Sequence, residues 1–280
     1  MKIYFHRFTL HPKRALNAFE GISPKEGVFL KAEGAKGTGF WEYFPHPLLG
    51  DDDVDTFLSK FPNLKGDAAL KAFSALTSPL KLKDYGRVNC HQLWLKEDLV
   101  QSNVVKYKLK HQQDFDFLKL LQQGVTLRLD ANGIFNKQEW DIFEKKIPPH
   151  LLPLIEYVED PCRDLDWSSV SLPTASDFIS GTPAKVKIYK PYRETYPKDN
   201  SKVIFSCPMG HLLGSYLTYL EVMRQGQDNQ VHGLLAPDLY EEVPELFEGS
   251  YELGFKPKLN LMRSWLSMIS LEKWKVLCSI

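Results

Sequence analysis

The chain has 280 residues, 43% hydrophobic and 25% charged, an ordinary globular composition with length for one large domain or two modest ones. Thirty-five Lys and Arg balance 35 Asp and Glu, which excludes a globally basic nucleic-acid binder and an acidic disordered tail. No stretch reaches the roughly 18 to 20 consecutive apolar residues of a membrane span, so no membrane or nucleic-acid partner is expected.

The N-terminal MKIYFHRFTLHPKR is interrupted by His6, Arg7, His11 and Lys13, so a secretory signal is not expected. Met1 to Phe8 and Gly27 to Glu33 carry β-formers in alternation, and Gly34, Gly37 and Gly39 punctuate a hairpin before Phe40. Asp51, Asp52 and Asp53 precede VDTFLSKF, where acidic residues suit the positive end of a helix dipole; a metal reading of the triplet is the alternative. Ala68 to Leu76 reads as a short helix. From Val88 the texture changes. Strand-like runs at VNCHQLW, VVKYKL, VTLRLDA, LIEYVED, AKVKIYK and KVIFSC alternate with helical patterns at Asp114 to Gln123 and Lys137 to Ile147. That alternation predicts βα units and a parallel sheet, with enough strands for a barrel. The segment after Pro244 and Gly249 is expected to pack back on the first unit. Cys90, Cys162, Cys207 and Cys278 form no CxxC pair, which excludes zinc-finger and dithiol readings and suits a reducing, cytoplasmic setting.

Several of these strands end in a charge that a buried strand avoids. Asp130 ends VTLRLD, Glu159 follows LIEYV, Asp177 stands in TASDFI, and Lys190 ends AKVKIYK. Lys106 and Lys108 are two apart on VVKYKL and share a face; Lys110 continues that face, so Lys108/Lys110 is an alternative pair. In parallel α/β barrels such groups converge at the C-terminal mouth. Three carboxylates offer hard oxygen ligands for Mg²⁺, with Mn²⁺ as a substitute. A lysine beside a divalent cation has a depressed pKa and can act as a base. Metal, lysine base and a small-molecule carboxylate substrate together describe proton abstraction next to a carboxylate.

LRLDAN (Leu127 to Asn132), YVEDPC (Tyr157 to Cys162) and IYKP (Ile188 to Pro191) resemble the enolase superfamily. More narrowly they resemble its muconate-lactonizing subgroup and, within that, the o-succinylbenzoate synthase family. FSCPMGHLLGSYLTYLEV resembles the seventh-strand region, where a turn and a following helix hold a substrate carboxylate. GTGFWEYFPHPLLG resembles the glycine-rich GxGE…P loop of the capping domain. The resemblance implies a trimmed TIM-type β/α barrel with an α+β capping domain: residues 1–87 with 241–280 as the cap, residues 88–240 as the barrel. It implies metal ligands Asp130, Glu159 and Asp177, and catalytic Lys108, Lys190 and Lys106. Substrate contacts fall to Ser206, Met209, Gly210 and Arg128. Arg128 orients the site, or pairs with a neighbouring carboxylate. The implied reaction is dehydration of a cyclohexadiene carboxylate on the way to menaquinone. The same superfamily offers N-acylamino acid racemisation or dipeptide epimerisation, and a silent barrel acting as a binding protein is the third reading. Epimerases carry an Asp-x-Asp on the last strand, where this chain has LLAPDL with Asp238 alone. Lys13 and Arg14, in the early loop, are in reach of a covering role. Only 13 residues separate Asp177 from Lys190, so the crossover there must shrink to a turn.

Overall fold

The computed structural model describes residues 1–13, 22–94, 99–164, 166–177, 182–191, 193–194, 196–197, 202–235, 239–270 and 272–279. Arg14 and Asp238 lie outside them. Both chain ends build one antiparallel sheet. β1 (Lys2–Leu10) and β2 (Lys25–Gly34) pair along their length, and β3 (Gly37–Tyr43) follows through a tight turn between Gly34 and Gly37. α1 (Val54–Lys60) and α2 (Asp67–Leu76) cover one face of this sheet, burying Ile3, Val28, Leu30 and Trp41 against Phe57 and Ala72. Asp53 accepts the Thr56 N–H at 2.7 Å, so it caps α1 as its position before an apolar run implies. Gly39 is required by contact: a Cβ there would lie 2.2 Å from the Leu76 carbonyl oxygen that closes α2.

The next strands are parallel. They are β4 (Asn89–Cys90), β5 (Gln92–Trp94), β6 (Val104–Lys108), then α3 (Leu118–Leu121) and β7 (Thr126–Asp130). α4 (Lys137–Glu144) precedes β8 (Ile155–Glu159); β9 (Thr174–Ser176), β10 (Val186–Tyr189) and β11 (Lys202–Phe205) lead to α5 (Leu212–Arg224) and β12 (Val231–His232). β5 to β11 form a seven-stranded parallel sheet in sequence order. β12 closes the ring: Gly233 and Cys207 exchange bonds with Phe205 and Gly233 at 2.8 and 3.0 Å on one side, while β12 pairs β4 on the other. β4 runs through His91 into β5, so the two short pieces act as one strand of an eight-membered barrel.

The trimming falls on the crossovers. Between β9 and β10 the described residues 182–185 are not helical, in line with the short Asp177–Lys190 spacing. The described residues between β8 and β9 are likewise turns and bends. α3 is shorter than the Asp114–Gln123 pattern, because Asp114 instead accepts the Tyr107 hydroxyl at 2.6 Å and the Lys110 N–H at 3.1 Å. α4 starts where Asn136 and Glu139 form a reciprocal capping box. The last strand lies at Val231–His232, ahead of LLAPDL, because His91 N donates to the His232 carbonyl and fixes the pairing there.

Outward strand residues Val105, Tyr107, Leu127 and Leu129 pack under Phe117, Trp140 and Phe143. Inward ones, Tyr157, Ala175, Val186, Ile188 and Ile204, fill the barrel. Burial of this two-sided kind explains why the strands read as apolar runs. β13 (Phe247–Ser250) and β14 (Gly254–Pro257) form a hairpin joined to Val88, and α6 (Leu259–Ile269) leads to β15 (Lys275–Ser279), which pairs β1. Cys90, Cys162 and Cys207 are buried free thiols, and Cys278 is a partly buried one. No helix among the described residues is long and apolar enough to cross a membrane.

Candidate active site

β6 and β7 are in register with Lys106 opposite Arg128 and Lys108 opposite Asp130. The period-two alternation sends all four inward, in two layers. Glu159 follows at the end of β8, Asp177 just beyond β9 and Lys190 just beyond β10. At the mouth, Lys106 Nζ lies 2.9 Å from Asp130 Oδ2 and donates to both Glu159 oxygens at 2.9 and 2.8 Å. Lys108 Nζ is 3.8 Å from Asp130 Oδ2, and Lys190 donates to Asp177 Oδ2. β6 ends at Lys108, and Lys110 is exposed and outside the cavity lining, so Lys106 and Lys108 are the pair that faces inward.

Among eight strands, β6 and β10 are diametrically placed, so Lys108 and Lys190 stand across the cavity from each other. Ser206, Met209, Asn132 and His46 also line it. The lysine–carboxylate pairs fill this mouth, leaving about 40 Å³.

Electrostatics separate the groups. Burial alone would lower the Lys106 ammonium, but the charges of Asp130 and Glu159 outweigh it and hold its pKa well above the ordinary value. Lys108 goes the other way: burial and the Lys106 and Lys190 charges lower it more than Asp130 and Glu159 raise it. Burial and the Asp130 charge push the Glu159 carboxyl up to about 7, against Lys106. Burial would also raise Asp177, yet Lys190, Arg193 and Lys106 hold it below the usual range.

Asp160 was not singled out from YVEDPC, but its carboxylate joins this cluster. One oxygen each from Glu159, Asp160 and Asp177 lie within 4.8 Å of one another. Asp160 takes a positive φ of 43°, which turns its carboxylate back to accept the Asp177 N–H at 3.2 Å. Burial and then the Asp177 and Glu159 charges raise it well above the carboxylate range. Asp130 Oδ1 and Asp177 Oδ1 are buried and accept no hydrogen bond among the described residues. Hard oxygens from Glu159, Asp160 and Asp177, with Asp177 Oδ1 open and Asp130 linked to them through Lys106, fit a divalent cation such as Mg²⁺.

Three expectations move. Arg128 is 2% exposed and does not line the cavity. Its fork grips Glu156 at 2.7 and 3.3 Å, the Val231 carbonyl at 2.9 Å and His91 Nδ1 at 2.9 Å. It therefore sits one layer below the mouth and ties β7, β8 and β12 together, which corrects its placement as a substrate contact. Gly210 also stays off the lining; a Cβ there would meet Glu42 Oε1 at 2.3 Å and Phe44, so its smallness serves the approach of the cap. Asp51, read with Asp52 and Asp53 as a helix-start triplet, accepts from His46 N at 2.9 Å and from Arg193 Nη2 at 2.7 Å. Arg193 Nη1 lies 3.7 Å from Asp177 Oδ1, so one guanidinium joins cap and barrel beside the site.

No family model matches the chain. It is 30% identical over 185 residues to the o-succinylbenzoate synthase of Bdellovibrio bacteriovorus, covering 58% of this chain; the match spans 56%, about half, of that relative's length. The o-succinylbenzoate synthase of Thermosynechococcus elongatus BP-1, solved with Mg in its active site, superposes with a TM-score of 0.66 at 17% identity over 95% of this chain and 100% of that one. A dipeptide epimerase of Cytophaga hutchinsonii, solved with Mg and D-Ala-L-Val, gives 0.68 at 13% identity over 91% and 92%. The fold is that of the enolase superfamily, and the resemblance read from the barrel motifs, to that superfamily and within it to the o-succinylbenzoate synthases, is borne out.

Proposed function

We propose that the chain is a Mg²⁺-dependent lyase of o-succinylbenzoate synthase type. It would remove water from 2-succinyl-6-hydroxy-2,4-cyclohexadiene-1-carboxylate to give 2-succinylbenzoate, a step of menaquinone synthesis, in the cytoplasm. The observation that carries the reading is the placing of Lys108 and Lys190 on opposite strands beside a buried carboxylate cluster. The 30% identity to a synthase supports the choice of reaction.

By the resemblance, Asp130, Glu159 and Asp177 would hold the metal; the carboxylates gathered within 4.8 Å are Glu159, Asp160 and Asp177, so Asp160 would share the task. Bound there, Mg²⁺ would supply positive charge to a substrate carboxylate. Lys108, with its lowered pKa, takes the proton α to the ring carboxylate. The same ammonium then returns a proton to the departing hydroxyl, which leaves as water. Lys190 opposes the developing negative charge from the other face. Lys106 stays protonated and screens Asp130 from Glu159. The mouth is suited to an anion. Lys106, Lys108, Lys190 and Arg193 stand against Asp51, Asp130, Glu159, Asp160 and Asp177, so a divalent ion would offset the remaining negative charge and favour an anion. Ser206 and Met209 are on the lining where the substrate would lie.

A second reading, racemisation of an N-acylamino acid, is favoured by the same opposed lysines, since each faces the cavity. The deciding assay follows loss of the cyclohexadiene absorbance with Mg²⁺ and with a chelator. Turnover that needs Mg²⁺ is expected; no dehydration by folded protein in Mg²⁺ or Mn²⁺ would sink the proposal.

A further inference from the structure

A second cavity, of about 470 Å³, lies on the outside of the barrel where α5 meets β3 and α2 of the cap. It shares no lining residue with the barrel mouth. Its size is within the roughly 300–1,000 Å³ of small-molecule sites. The floor is apolar, made by Phe40, Leu217, Leu220 and Met223. The rim is cationic, with Lys71 from α2, Lys81 from the following segment and Arg224 from α5. Glu221 is the carboxylate of this lining, and Arg224 holds it at 2.8 Å. One lining carboxylate thus faces three cations, and Glu221, bridged to Arg224, makes no ion pair with Lys71 or Lys81 among the described residues.

Two side chains are set up for an acceptor. Lys71 Nζ donates to the neutral Tyr189 hydroxyl at 3.1 Å and is half-buried, and that burial lowers its pKa. Trp41 lines the cavity, is 5% exposed, and its indole N–H has no hydrogen-bond partner among the described residues. A buried N–H left without an acceptor is unfavourable, and a partly desolvated ammonium gains more from an anion than an exposed one does.

We propose that this cleft binds an amphipathic organic anion, a small molecule with a flat apolar body and one carboxylate or sulfonate. The body lies on Phe40, Leu217 and Leu220, and the acid faces Lys71, Lys81 and the Trp41 N–H. The proposal is independent of the reaction at the barrel mouth.

The test uses two fluorescent probes with the same ring body, 1-anilinonaphthalene-8-sulfonate and the uncharged N-phenyl-1-naphthylamine, titrated into the whole chain. Saturable one-to-one binding of the sulfonate is expected, weakened about tenfold or more by Lys71→Ala combined with Lys81→Ala. Trp41→Phe should weaken the sulfonate by a smaller factor, and neither change should move the neutral probe. Leu217→Trp, which fills the floor, should remove both, with thermal melting used to check folding. If that variant does not fold, the lysine and Trp41 variants decide alone. Equal affinity for both probes would overturn the proposal, as would sulfonate binding that survives loss of both lysines. Binding lost in Lys190→Ala and kept in Lys71→Ala would place the probe at the barrel mouth and overturn it equally.

Discussion

Glu42 and Gly214 are 172 residues apart in the chain, yet the Glu42 carboxylate accepts the Gly214 N–H at 2.6 Å. Its other oxygen accepts from His211 N at 2.5 Å. A carboxylate from the cap sheet thus caps α5 of the barrel, meeting two of the N–H groups that a helix start leaves open. It also fixes the turn from Ser206 to Gly210, part of which lines the mouth. Glu42→Ala would strand both N–H groups in a buried place. It should cost about 2–4 kcal/mol in urea denaturation, with a raised KM as the turn loosens. An unchanged midpoint would show that the contact carries little.

The same residue gives a pH signature. Burial raises the Glu42 carboxyl to about 7, against the Gly214 and His211 N–H bonds that lower it. An unfolded glutamate titrates near 4.3. Between these values the folded chain keeps a proton that the unfolded chain has lost, so this contribution is full below pH 4.3 and declines as pH rises towards 7. The decline is on the order of 3 kcal/mol. Glu42→Gln cannot titrate, so its stability relative to wild type should rise across that window. A difference that stays flat with pH would refute the assignment.

Lys106 bridges Asp130 and Glu159 within the barrel, and removing one partner of a buried ion pair leaves uncompensated charge. Lys106→Met should lose about 3–5 kcal/mol without metal. Millimolar Mg²⁺ should restore part of that loss by binding only the folded form. In the wild type a chelator should abolish turnover but leave the chain folded, because the lysines already offset much of the carboxylate charge. Calorimetric titration of Mg²⁺ into wild type and Asp177→Asn checks the ligand set; equal affinity in both would remove Asp177 from it.

The charged strand ends were legible because an acid or lysine closing an apolar run stands out locally, as in LRLD and KIYK. Depth along a strand was not. Arg128 shares a face with Asp130, and alternation alone places both inward without saying that one is a layer lower. Asp160 escaped because its approach to the cluster depends on a left-handed backbone turn, which an Asp before Pro161 does not announce. Glu42 carries no local signal within GTGFWEYFPHPLLG, since its partners are backbone groups far along the chain. Closure of the barrel rests on β4 and β12, two residues each, too short for any period to show.

Arg128 offers a test of that layering. Its planar fork serves Glu156, the Val231 carbonyl and His91 at once, which a lysine cannot do. Arg128→Lys should therefore lower stability by roughly 1–3 kcal/mol and leave KM within about threefold of wild type. A large rise in KM with unchanged stability would return Arg128 to the substrate.

The two lysines separate dehydration from racemisation. In a one-base dehydration Lys108 removes the proton and Lys190 contributes fixed charge. Lys108→Ala should then abolish exchange of the substrate α-proton with solvent deuterium, since Lys106 is committed to Asp130 and Glu159. Lys190→Arg keeps the charge but replaces a compact ammonium with a broad planar group, so residual turnover is expected, lowered by about one to three orders of magnitude. In a two-base racemase either lysine starts the reaction from one enantiomer, and each single variant would retain exchange with only one of them. Both enantiomers of an N-succinyl amino acid, tested against Lys108→Ala and Lys190→Ala by proton NMR in deuterium oxide, give the answer. Exchange that switches enantiomer with the lysine removed would establish the racemase. No exchange with either enantiomer, beside rapid dehydration of the cyclohexadiene carboxylate by wild type, would establish the synthase.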